Sequence, residues 1–132
     1  MRLVKKPLRI AAILGVLATP ALADMEMEFS WGDIPRCTSG RPNTVSNPEF
    51  VVSGVPNGTA TVEFRLKDLN VPSYNHGGGK LRMSADGKVP SGLFKYKSPC
   101  PPNGSHTYQW KATARDASGK VLATAKAERT YP

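Results

Sequence analysis

His76 and His106 are the only imidazoles in the sequence, and each stands where a strand-like run meets a loop, with Asp68 the carboxylate nearest to the first. Three chemistries can be written for such a set. A zinc centre needs three or four well-spaced ligands, and neither HxH nor HExxH spacing occurs, so no metal is expected. A Ser/His/Asp set can be drawn from Ser73 or Ser105 with these residues, but no GxSxG turn exposes the serine, and the expectation is a protein that is not an enzyme. The run Gly77-Gly78-Gly79 lacks the GK[ST] of a phosphate loop and reads as a flexible loop or an edge bulge. What remains is non-covalent: glycine N–H groups, two imidazoles and a loop stiffened by Pro99, Pro101 and Pro102 converging on a small anion, with no cofactor.

These groups need a scaffold, and the hydrophobic periodicity supplies strands. Met25, Met27, Phe29 and Trp31 alternate with polar residues, as do Val62, Phe64 and Leu66. The clearest alternation sets Tyr108, Trp110, Ala112 and Ala114 against Thr107, Gln109, Lys111, Thr113 and Arg115. Its parity puts His106 on the side of Tyr108 and Trp110, at the edge of the core. Val121 to Arg129 is alanine-rich, but it alternates and follows the tight connection Asp116-Ala117-Ser118-Gly119, which favours a returning strand over a helix. Phe50-Val51-Val52 reads as a strand, with weaker candidates at Lys80 to Met83 and Leu93 to Tyr96; Asp68 to Gly79 reads as a long loop. Many short strands between Gly- and Pro-rich turns imply an all-β sandwich or partly closed sheet with little helix.

Four basic residues, then the apolar run Ile10 to Ala18, then Ala21-Leu22-Ala23 have the order of a secretory signal peptide cleaved before Asp24. The run is about half of the roughly 20 apolar residues that span a bilayer, so no transmembrane span is expected after cleavage. Residues 24–132 then form a single domain, periplasmic or secreted. Without the four leader cations, the chain's 18 basic residues become 14 against 10 acidic. The lysines and arginines are scattered and not interleaved with aromatics, so they read as a solvated surface and no nucleic-acid partner is expected. Cys37 and Cys100, the only two cysteines, are expected to pair in an oxidising compartment.

Several stretches resemble the phosphatidylethanolamine-binding protein family. Ser98-Pro99-Cys100-Pro101-Pro102, then Gly104-Ser105-His106-Thr107-Tyr108, is similar to the family's GPCPP-type run and GxHRY. Asp68-Leu69-Asn70-Val71-Pro72 and His76 look like its DPDxP loop and following histidine. Cys37 to Gly58, with Ser46-Asn47-Pro48 and Ser53-Gly54-Val55-Pro56-Asn57-Gly58-Thr59, and Gly119-Lys120-Val121-Leu122-Ala123-Thr124-Ala125 are similar to two further segments. The sequence departs from the pattern at Asn70, where the family has aspartate, at Gly77, where it has tryptophan, and at Thr107, where it has arginine.

The resemblance implies a minimal antiparallel β-sandwich with a pocket for an anionic group, phosphate or phospholipid headgroup. Asp68, Pro72, His76, His106 and Tyr108 would line that pocket. The alternative is a protein-interaction module, such as a protease inhibitor or envelope partner, acting through the loops at 68–79 and 98–105 with a degenerate pocket.

Overall fold

The computed structural model describes residues 24–132, and the expected signal peptide over residues 1–23 lies outside them. In chain order the strands are β1 (Glu26–Phe29), β2 (Thr44–Ser46), β3 (Phe50–Ser53), β4 (Thr61–Asp68), β5 (Gly78–Arg82), β6 (Gly87–Val89), β7 (Lys95–Lys97), β8 (His106–Arg115) and β9 (Val121–Tyr131). Among the described residues there is no helix. All strand pairings are antiparallel. A four-stranded sheet in the order β5-β4-β8-β9 faces a three-stranded sheet β1-β3-β6, and β2 pairs with β7 in a short ribbon.

The alternation in the sequence is what closes this sandwich. On β4 the buried set is Val62, Phe64, Leu66 and Asp68; on β8 the inward set is Tyr108, Trp110, Ala112 and Ala114, with Thr113 also buried at the opposite parity. Phe50 from β3 stacks on Phe64 at 4.5 Å between ring centroids and meets Trp110 edge-on at 5.1 Å, joining the two sheets through one aromatic cluster. Fully burying a side chain of this class contributes about 1.5–3 kcal/mol, so these rings are the main apolar anchor. The alanine-rich segment is a strand, as its parity requires: Ala123, Ala125 and Ala127 face the cluster.

Two short strands, β2 and β6, escape the periodicity, because three residues do not show a full alternation. Gly78 and Gly79 belong to β5 and not to a flexible loop, they serve packing, and none of Gly77 to Gly79 lines the site described below. A Cβ on Gly78 would lie 1.7 Å from the Phe64 carbonyl oxygen, and one on Gly79 would lie 2.4 Å from the Phe94 ring. Glycine there lets β5 approach β4 and Phe94.

Candidate functional site

Inward parity carries β4 to its last residue, so Asp68 ends the strand with its carboxylate buried at 4% exposure. One oxygen, Oδ1, accepts the N–H groups of Asn70 at 2.8 Å and Val71 at 3.1 Å, which turns the chain into the loop. The other, Oδ2, lies 2.6 Å from Nδ1 of His106, the first residue of β8. A carboxylate only accepts, so Nδ1 carries the hydrogen and this charge-assisted bond fixes the ring. Nε2 of His106 is the nitrogen left for a ligand.

His76 is held from a different direction. Its Nδ1 lies 2.7 Å from the Lys97 carbonyl, and Lys97 N–H donates to the His76 carbonyl at 2.8 Å, so β7 grips both ring and backbone. Burial pushes this imidazole below its ordinary value of 6.5, and the Lys97 carbonyl and the Asp68 charge oppose that only in part. The ring is therefore neutral at pH 7. With Nδ1–H donated to Lys97, its Nε2 presents a lone pair and not an N–H. Tyr74 and Tyr108 flank it at centroid distances of 4.5 and 5.5 Å. Burial, with the Asp68 charge adding to it, raises the Tyr108 phenol well above 10.0, so this hydroxyl stays protonated.

The opposite wall is Gly40, Pro42, Cys100, Pro101 and Pro102. The expected Cys37–Cys100 disulfide is present and ties this wall's two segments together. Gly40 has φ +77, a conformation that favours glycine, and a Cβ there would press on Pro102 at 3.3 Å. Cys37 N–H donates to the Tyr131 hydroxyl at 2.9 Å, and Asn43 and Ser98 exchange two further hydrogen bonds.

The cleft between these walls has a volume of about 200 Å³. Asp68, His76, His106 and Tyr108 line it together, whereas Pro72 is exposed on the loop and does not; Val71 and Tyr74 take that side. Tyr74, Gly40 and Pro42 were not foreseen as lining residues, although pairing Cys37 with Cys100 brings residues 40–42 against 100–102. A larger open trough of about 960 Å³ runs between Asp24–Met25, the turn 54–57 and Leu122–Lys126, but it holds no imidazole.

The two departures at the loop meet each other outside the cavity. Thr107 N–H donates to Asn70 Oδ1 at 2.9 Å, and the Thr107 carbonyl accepts from Leu69. Thr107 has the opposite parity to His106 and Tyr108, so its side chain lies on the other face of β8.

No family model matches the sequence, and no curated protein matches it. Among solved structures, the chain is similar to a phosphatidylethanolamine-binding protein homolog from Chlamydia trachomatis, with a TM-score of 0.57 at 16% identity. The similarity covers 83% of this chain and 97% of that one. The all-β sandwich thus has the phosphatidylethanolamine-binding protein fold.

Proposed function

We propose that this chain is an exported, non-catalytic binding protein whose cavity takes a small anionic group, a phosphate or a phospholipid headgroup. The observation that carries the reading is the meeting of His76 and His106 on one cavity, each with Nδ1 already engaged and Nε2 left for a ligand. A singly protonated phosphate suits this pair. Its P–O–H donates to the lone pair of His76 Nε2, with its remaining oxygens on the side of the His106 ring. At about 200 Å³ the cavity is below the roughly 300–1,000 Å³ of drug-sized sites, which favours a headgroup-sized ligand.

The fold supports the ligand class, since the similar chlamydial protein is described as a phosphatidylethanolamine-binding homolog. Export rests on the leader-like order of residues 1–23 and is supported by the disulfide, which suits an oxidising compartment. Among the described residues, no helix is long and apolar enough to cross a membrane.

Calorimetric titration of phosphate and of phosphoethanolamine into the protein and into a His76→Ala/His106→Ala variant tests the proposal. Binding that is lost in the variant is expected; equal binding in both sinks the pocket role.

A second reading, a protein-interaction module, has its own observation: Leu69, Val71 and Tyr74 are more than a third exposed on one loop. Exchanging residues 69–75 for a polar loop and repeating a pull-down from envelope extract separates the two. Loss of a partner from the loop variant, with the histidine variant still retaining it, would favour this reading.

A further inference from the structure

The outer face of the four-stranded sheet gathers charge that the linear sequence disperses. Register sets Arg65 opposite Lys111, and Lys111 opposite Lys126, so three cations form a straight row across β4, β8 and β9. Neighbouring strands are about 4.8 Å apart, and like charges directly opposite on one face are destabilising. Among the described residues none of the three is in a salt bridge; the ion pairs are Lys88–Glu49 and His106–Asp68.

The flanking rows reinforce the pattern. Lys67 stands beside Gln109 in one, Lys80 opposite Glu63 in another, and Arg82 and Arg115 on either side of Thr61 in a third. Glu63 and Glu128 are the only acidic residues on this face, against seven cations. Residues 24–132 carry 14 basic and 10 acidic residues, so everything off the face is seven basic against eight acidic. One sheet face therefore holds the whole positive excess.

We propose that this face docks on a membrane surface of anionic lipid, independently of the cavity. The cations spread over four strands as a two-dimensional array, which matches a plane of headgroups. A nucleic-acid strand aligns its phosphates along a line and rewards stacking aromatics, and between the cations the central rows of this face offer threonine, glutamine and the two glutamates but no aromatic ring. The central rows also carry no large apolar side chain to insert into acyl chains, the exposed Val121 standing beside Arg115 in the outermost row, so attachment is electrostatic. A row of opposed cations that costs stability gains a physical reason if an anionic surface neutralises it.

The test is sedimentation of the protein with phosphatidylcholine vesicles, with and without phosphatidylglycerol. Binding only to the anionic vesicles is expected, weakening as salt shortens the screening length to about 8 Å at physiological ionic strength. Each basic side chain near an anionic surface changes partitioning by about fivefold, so Arg65→Gln/Lys111→Gln/Lys126→Gln lowers it by about a hundredfold. The control Lys88→Gln/Lys95→Gln/Lys120→Gln removes equal charge elsewhere and keeps binding. Thermal melts of both variants establish that they fold. Equal loss in the two triple variants, no preference for anionic vesicles, or binding to a short DNA duplex without binding to vesicles would each overturn the proposal.

Discussion

The side chain of His76 is read by the carbonyl of Lys97, 2.7 Å from its Nδ1. A carbonyl cannot donate, so Nδ1 keeps its hydrogen, and burial keeps the ring neutral and its Nε2 an acceptor at neutral pH. An anion without a proton of its own therefore binds well only after His76 takes one up. Sulfate, which does not titrate in this range, is predicted to bind more tightly as pH falls from 7 toward and through the depressed folded value below 6.5, and then to level off. Binding should be accompanied by proton uptake, seen as buffer-dependent heat in calorimetry. A flat pH profile would show that His76 does not face the anion.

The same shift has a consequence for stability, with a definite sign. The folded value lies below the unfolded one near 6.5, so the unfolded chain binds more protons between the two. His76's contribution is fully present above 6.5 and is lost as pH falls toward the folded value. Melting temperature is expected to decline through that window, and His76→Phe is expected to remove this part of the slope. Saturating sulfate should reduce the slope in the parent protein.

Asp68 sets the hydrogen of His106 by accepting it at Oδ2. In Asp68→Asn the amide can still accept the two loop N–H groups at Oδ1, but it then presents an NH2 to His106 Nδ1. The ring must switch to the tautomer with hydrogen on Nε2, which is a donor toward the cavity. Nitrogen-15 shifts of His106 are expected to report that switch, with sulfate affinity at pH 7 raised, since the anion also loses a facing carboxylate. An unchanged tautomer would mean that the 2.6 Å contact does not orient the ring.

The strands that position the site were legible because they are long. On β4 and β8 the alternation persists over several periods, and extrapolating it places Asp68 and His106 at the inner ends of adjacent strands. Lys97, the partner of His76, was not legible: it lies 21 residues away on a three-residue strand with no pattern of its own. The cation row was missed for a related reason. Arg65, Lys111 and Lys126 are individually ordinary surface residues, and only strand register makes them neighbours. Asn70 and Thr107 look like losses to a binding site when taken as substitutions, yet parity already assigns Thr107 to the outer face.

Reducing the disulfide is predicted to damage both fold and site. Its cysteines are 63 residues apart, and a cross-link closing such a loop stabilises by about 4 kcal/mol in the chain-entropy model. Melting should fall by roughly 15 °C or more in reductant, at about 4–8 °C per kcal/mol for a domain near this size. Cys37→Ala/Cys100→Ala should reproduce the drop and weaken phosphate binding, because Gly40, Pro42 and Pro101 lose their tie. A reduced protein that melts like the oxidised one would refute this.

Asn47 shows how one buried polar side chain can fix a loop the sequence pattern leaves open. It is fully buried, and its Oδ1 accepts the N–H groups of Gly92 at 3.1 Å, Leu93 at 2.7 Å and Phe94 at 3.0 Å. Its Nδ2 donates to the carbonyls of Pro48 at 2.8 Å and Pro90 at 3.0 Å. The side chain thus extends the single backbone bond from Asn47 N–H to the Phe94 carbonyl, and it seats Phe94 against Phe64 and Trp110. Asn47→Ala removes all five bonds, and each buried group left unsatisfied costs about 1–3 kcal/mol, less where water enters. A loss of roughly 3–5 kcal/mol in denaturant unfolding is expected, near the upper end for a single substitution. Asn47→Asp separates the two halves of the argument: it keeps the acceptor for the three N–H groups but turns the donor side into a second acceptor facing two carbonyls. It should destabilise at neutral pH and recover part of that loss where acid protonates the new carboxyl. Equal stability of Asn47→Ala and the parent would show that the loop holds itself.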